Sequence, residues 1–322
     1  MDDEIQLRIP KGSYHVEFID RSKMKNNSRR FRLSYILLPL SAILIITFHI
    51  LFLNNKDRSD IIPAQPVAPD NPIWSDFFNQ DVPVLFTIGD HFTFFDYSGL
   101  SKYRINAAHI KSQEDLDNYL RRHPEKKDYI GASQVGNLPI SAPWAVYYID
   151  RVFSGVNKEL NLEFNSSLEW SDLSKMNVIY YGDFHSLRIL HALFKRTHIK
   201  YRRRPFEIFM TNDQGDTVKN FIPGSDNKRP DYREDYGVVL KVPGANQHSV
   251  MIIAGYRAVS GIEIVKQLSN QSALEKLEEK FIDKFGKMPR FFEILYKVEG
   301  FGRAGFSVDI QFFDEIKFEN FQ

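Results

Sequence analysis

Three stretches of the chain run from an apolar block into a glycine and then into the start of a helix. They are VLFTIGDHF at 84–92, VIYYGDFHS at 178–186 and VMIIAGYRAVSG at 250–261. In open α/β sheets, ligands bind in the crevice beyond the carboxyl ends of the strands. Glycine there lets the backbone turn tightly and approach a ligand, and the helix start adds free amide donors and a partial positive charge. Gly89, Gly182 and Gly255 occupy these turns. The first two add an acid and an imidazole, Asp90 with His91 and Asp183 with His185. Such pairs serve general acid–base chemistry or clamp a ligand. In an enzyme, Asp183 and His185 would be the catalytic pair. An Asp before a helix is also an ordinary N-cap, so the same residues have a purely structural reading. The third turn has no acid and carries Arg257 two residues after Gly255, where a helix dipole and a guanidinium would together favour a small anion. The candidate ligand-binding set is therefore Gly89, Asp90, Gly182, Asp183, Gly255 and Arg257.

Other chemistries lack their residues. There is no Gly-Lys-Ser/Thr phosphate loop and no G-x-G-x-x-G dinucleotide fingerprint. A fourth loop, Gly131-Ala132-Ser133 with Gly136, precedes a helix start, but Ser133 does not sit in G-x-S-x-G, so a nucleophile elbow is unsupported. The histidines do not fall at metal-ligand spacings, and the chain has no cysteine, which removes thiol catalysis, thiolate zinc sites and disulfides. No metal and no cofactor is expected. A formal net charge of +1 gives no reason to expect a nucleic-acid partner. The basic run KYRRR at 200–204 reads as an exposed strand edge, where cations discourage edge pairing.

The elements that would position these turns alternate between strand and helix patterns. Strands are expected at 82–88, 178–181, 206–210, 237–242, 250–254, 294–298 and 306–313. Helices are expected at 113–122, capped by Ser112 and stopped by Pro124, and at 142–158, with Ser141 as N-cap and Pro143 in the first turn. Further helices are expected at 187–197, 262–268 and 273–285. Alternation of this kind implies βαβ units. The short link around Pro243-Gly244 adds a hairpin. The expected fold is an open three-layer α/β sandwich around a mixed, mostly parallel sheet, Rossmann-like, over residues 76–322.

Ahead of that domain, residues 33–53 (LSYILLPLSAILIITFHILFL) form an apolar run with no formal charge, against about 20 residues needed to span a bilayer. It ends in Phe52-Leu53-Asn54-Asn55, a poor processing site for a signal peptide. Arg21, Lys23, Lys25, Arg29, Arg30 and Arg32 precede it without an acid among them, whereas Lys56 and Arg58 are accompanied by Asp57 and Asp60. Flanking cations stay cytoplasmic. The reading is a basic cytoplasmic arm at 1–32, a transmembrane helix at 33–53, a stalk at 54–75 with prolines at 63, 66, 69 and 72, and an extracytoplasmic domain at 76–322. Without disulfides, that domain must be held by its core.

The stretches NVIYYGDFHSLRIL, DYGVVLKVPGANQHSVMIIAGYRAVSGIEIVKQL and ILYKVEGFGRAGFS resemble a loosely defined group of uncharacterised bacterial proteins. These carry an α/β domain behind a single membrane span or behind a winged-helix regulator. The resemblance reaches residues 176–310 and implies a bacterial inner-membrane protein with a periplasmic sensory or binding domain. It transfers no active residue. The function expected is ligand binding or scaffolding by a membrane-anchored envelope protein, with possible small anionic ligands and envelope protein partners. An envelope hydrolase or transferase acting on cell-wall or glycan substrates is the first alternative, and a structural subunit of an envelope complex the second.

Overall fold

In the computed structural model the described residues are 5–8, 17–20, 66–98, 103–105, 110, 112–132, 137–203, 206–226 and 229–317. The expected span at 33–53, most of the basic arm and the start of the stalk lie outside them. Among the described residues no helix is long and apolar enough to cross a membrane. The chain divides into two compact units, Met1–Pro63 and Ala64–Gln322. In the first, strands β1 (Ile5–Arg8) and β2 (Glu17–Asp20) form an antiparallel pair within the stretch read as a basic arm.

Among the described residues the second unit carries fourteen more strands. They are β3 (Val84–Ile88), β4 (Phe94–Asp96), β5 (Tyr103–Ile105), β6 (Ile130–Ala132), β7 (Leu160–Phe164), β8 (Asn177–Asp183) and β9 (Ile199–Arg203). Then follow β10 (Phe206–Thr211), β11 (Thr217–Phe221), β12 (Gly224–Asp226), β13 (Arg229–Pro243), β14 (Ser249–Gly255), β15 (Phe292–Phe301) and β16 (Ala304–Glu315). Its helices are α1 (Ser75–Asn79), α2 (Gln113–Arg122), α3 (Ala142–Phe153), α4 (Ala258–Leu268) and α5 (Gln271–Phe285).

The central sheet runs β16-β15-β13-β14-β8-β3-β7, with β12 beside β13. It is α/β and mixed, but not mostly parallel. β14, β8, β3 and β7 form a parallel block, while β12, β13, β15 and β16 pair antiparallel. The reason is local. β15 and β16 are joined by Gly302-Arg303 alone, with Gly302 in the left-handed region at φ 60°, and two residues suffice only for a hairpin. The parallel block reads as continuous apolar runs because both faces are covered: every residue of β3 and of β14 is buried.

One face is covered by helices. Ala145, Ile149, Val152, Ile264, Leu268 and Phe281 join Phe86, Ile179 and Ile253 in one core. Among the described residues the opposite face carries no α-helix. There Leu190, Phe194, Ile199 and Ile208 meet Val178, Val238 and Ile252, so the layer is the separate sheet β11-β10-β9 with the stretch Arg188–Arg196. That stretch, expected as an α-helix, is a run of 3-10 turns entered through Arg188 at φ 48°. Nearby, Lys200 donates to the carbonyls of Phe194 and Lys195. Lys200 to Arg203 of the KYRRR run lie in an edge strand, β9.

The domain also starts earlier than residue 76. Val67, Ile73 and Trp74 are buried in the helical-face core, and the Trp74 indole donates to Leu268 O at 2.9 Å. Lys241, fully buried, donates to Ile73 O at 2.9 Å and lies 3.1 Å from Asp76, which holds this lead-in against β13. The stalk reading is thereby confined to the residues before Pro66.

Candidate functional site

The turns after β3, β8 and β14 do meet at one end of the sheet, because β3 and β14 flank β8 in parallel. What they bring together differs from the expected pairs. His91 reaches across to Asp183, with Nε2 2.7 Å from Oδ2. Asp90 turns away and accepts from Ser166 N in the loop after β7. His185 stays at the rim, its Nδ1 3.9 Å from Asp183. The hydrogen-bonded acid–imidazole pair of the site is therefore Asp183 with His91, with His185 at a longer ion-pair distance from the same carboxylate.

Asp183 is deeply tied in. Its Oδ1 accepts from His185 N at 2.8 Å, Ser186 N at 3.0 Å and Ser186 Oγ at 3.2 Å. Burial pushes its carboxyl pKa up, but the His91 hydrogen bond and charge and the two amides outweigh this and hold it below the usual value. Reciprocally, the bond to Asp183 raises His91 against the effect of burial. Beneath them the buried Tyr180 hydroxyl donates to Asp183 O at 2.7 Å and sits 2.9 Å from Ser186 Oγ.

The glycines serve packing. A Cβ on Gly89 would lie 2.3 Å from Ser186 Oγ, and one on Gly182 would lie 2.4 Å from the Tyr180 hydroxyl. On Gly255 it would lie 2.5 Å from Ser260 Oγ, and on Gly261 2.6 Å from the Tyr181 hydroxyl. The space each glycine leaves is filled by the protein itself, which is a reason for glycine independent of any ligand.

The expected anion cradle at α4 is also occupied from within. Asp235, fully buried in β13, accepts from the amides of Arg257 at 3.2 Å and Ser260 at 3.1 Å. An internal carboxylate thus caps the helix where an external anion was expected. Burial raises the Asp235 pKa, opposed by Ser260, Tyr236 N and Arg257. The Arg257 guanidinium lies 5.5 Å from the ring centre of Tyr256, which itself stacks on Phe206 at 3.9 Å.

Between the starts of α3 and α4 lies a recess of about 170 Å³. Pro139, Ser141, Tyr181, Asp183 and Arg257 are among its walls. Sequence reasoning did not reach Tyr181 as a site residue. It is 1% exposed, and among the described residues its hydroxyl meets no partner at hydrogen-bonding geometry. Burial raises its pKa, and the Ser141 hydroxyl is close enough to ease it back. Ser141 is at the expected N-cap position of α3, yet its side chain makes no capping bond. The loop bearing Ser133 and Gly136 lies outside the described residues. The excursion that contains it leaves and rejoins the site through His91 and Asn137, whose backbones pair at 2.9 and 3.0 Å.

Comparison with family models, with curated proteins and with solved structures finds no match to this chain.

Proposed function

We propose that this chain is a single-span membrane protein of the bacterial inner membrane whose α/β domain lies in the periplasm and binds a small polar ligand in the recess over Asp183 and Tyr181. The span rests on the charge-free run at 33–53, and the orientation on the cations between Arg21 and Arg32. The Tyr181 hydroxyl is the observation that carries ligand binding. A buried polar group without a partner costs about 1–3 kcal/mol, which a bound ligand would recover. A volume of about 170 Å³ suits a molecule of a few heavy atoms, well below the ~300–1,000 Å³ of pockets for larger ligands. Because Asp235 already holds two amides of α4, an anionic group on the ligand would depend on Arg257.

The test is a thermal-melt screen of the full chain against small carboxylates and inorganic phosphate. A stabilising compound should lose its effect in Tyr181→Phe and in Arg257→Ala. An unchanged shift in both variants would refute this site. Orientation is tested with a single cysteine in this cysteine-free chain, Val218→Cys, since Val218 is 57% exposed. Labelling by an impermeant maleimide in cells with a permeabilised outer layer supports the periplasmic reading. Labelling only after lysis reverses it.

A second reading, an envelope hydrolase or transferase, is favoured by the 2.7 Å bond between His91 and Asp183. A carboxylate that orients an imidazole and raises its pKa makes a general base. Absence of any activity on glycan or cell-wall fragments would eliminate it, and activity that survives in both Asp183→Asn and His91→Ala would remove this pair as its site.

A further inference from the structure

We infer that β7 is a docking edge for a second copy of this chain, the two strands pairing antiparallel about Leu162. β7 ends the central sheet, and among the described residues no strand pairs with its outer edge. Such an edge presents unpaired amides and carbonyls that another strand can satisfy. Edge strands are usually blunted on their faces, but this one is apolar on one of them. Its register with β3 sets Leu162 beside Phe86 and Phe164 beside Ile88, so both point to the helical face. Each is 52% exposed, although the residues beside them on β3 are 1% and 3% exposed. The helical-face core reaches Leu160 but leaves Leu162 and Phe164 half exposed.

The sequence of β7, Leu160-Asn161-Leu162-Glu163-Phe164, is what commits the occupant to a second copy. A two-fold axis through Leu162 sets Leu162 against its own counterpart and Leu160 against Phe164, keeping three apolar pairs on one face. On the other face it sets Asn161 against Glu163. The neighbouring registers are worse. Centred on Asn161, Glu159 would oppose Glu163; centred on Glu163, the two Glu163 side chains would oppose one another. Like charges directly opposite are destabilising. Charge therefore selects the one register that also pairs the apolar residues. A five-residue ladder is short, so the contact is weak and exchanges with monomer.

The absence of native cysteine makes the test direct. In a centred antiparallel pair the two Cα atoms lie about 4.5–5.5 Å apart, within disulfide reach. The full chain carrying Leu162→Cys is oxidised in membranes beside the control Val218→Cys, and both are checked for an unchanged melting temperature. Several-fold more covalent homodimer from the 162 variant is expected. Equal yields, or a disulfide to a different protein, would overturn the proposal. Register is read by mixing differently tagged Asn161→Cys and Glu163→Cys copies, which should cross-link with each other more than with themselves. Self-linking by Glu163→Cys alone at the mixed level would overturn the register and the pairing with it.

Discussion

Asp183 is the most heavily committed side chain of the site, serving three protein donors on one oxygen and His91 on the other. Asp183→Asn keeps the shape but loses the charge and mismatches at least one donor. It should lower stability by about 2–3 kcal/mol in denaturant melts. The His91 pKa, raised in the native chain, should fall back towards 6.5 when followed by NMR in that variant. Tyr181→Phe makes the opposite case. Because among the described residues the hydroxyl makes no hydrogen bond of standard geometry and has only Ser141 close enough to ease its pKa, its removal should leave stability unchanged or raise it by up to about 1 kcal/mol. A loss in thermal melts would mean that the oxygen is satisfied after all. His198 is a third case, at a distance from the site. Its Nδ1 lies 2.8 Å from the buried Glu293 and its Nε2 3.2 Å from Asp213. The Glu293 bond raises the His198 pKa to about 9, against the effect of burial. A raised histidine stabilises the fold fully below its unfolded value of 6.5, and this contribution disappears as pH rises through about 9. His198→Gln should flatten that part of the stability–pH curve, measured by urea melts from pH 6 to 10. An unchanged curve would show that the staple contributes nothing.

Among the elements, α4 shows how the site end of the sheet is built. Its N-terminus is capped from β13 by Asp235, its first residues lie over Gly255, and its Gly261 lies against Tyr181. Asp235→Ala should cost about 2 kcal/mol, at the upper end for helix caps, because the freed amides are buried. Gly261→Ala should cost about 1–3 kcal/mol by overpacking, since the new methyl would fall 2.6 Å from the Tyr181 hydroxyl. Combining it with Tyr181→Phe should recover part of that loss, because the closest oxygen is gone. Additive losses in a double-mutant cycle would place the strain elsewhere. The cap was not legible in advance. Asp235 lies in the polar stretch before Gly237 and is far in sequence from the helix it caps, so no local pattern links the two. By contrast, the cap of α2 was legible, because Ser112 accepts from Asp115 N only three residues on.

At the scale of the whole molecule, local order was readable and long-range partnership was not. Glycine after an apolar run marked the ends of β3, β8 and β14, since a strand buried on both faces is a continuous apolar word and its end is a turn. The existence of α2, α3, α4 and α5 followed from local apolar and polar patterning, and for α2 from its capping Ser112 as well. The sheet's direction did not follow, because whether neighbouring strands run parallel depends on connections, and the β15–β16 hairpin turns on Gly302-Arg303 alone. β7 was missed because an edge strand with a half-exposed face lacks the apolar continuity of its neighbours. The pairing of Asp183 with His91, separated by 92 residues, comes from the parallel register of β3 and β8, which sets Ile88 beside Tyr181. Sequence by itself determined that an α/β domain follows a charge-free, apolar run of 21 residues, because hydrophobic patterning and charge are local properties of the chain. Only the tertiary structure decided which acid meets which imidazole, that α4 is already capped by Asp235, and that the Tyr181 oxygen is buried with no hydrogen bond of standard geometry among the described residues, because each of these depends on which strands become neighbours.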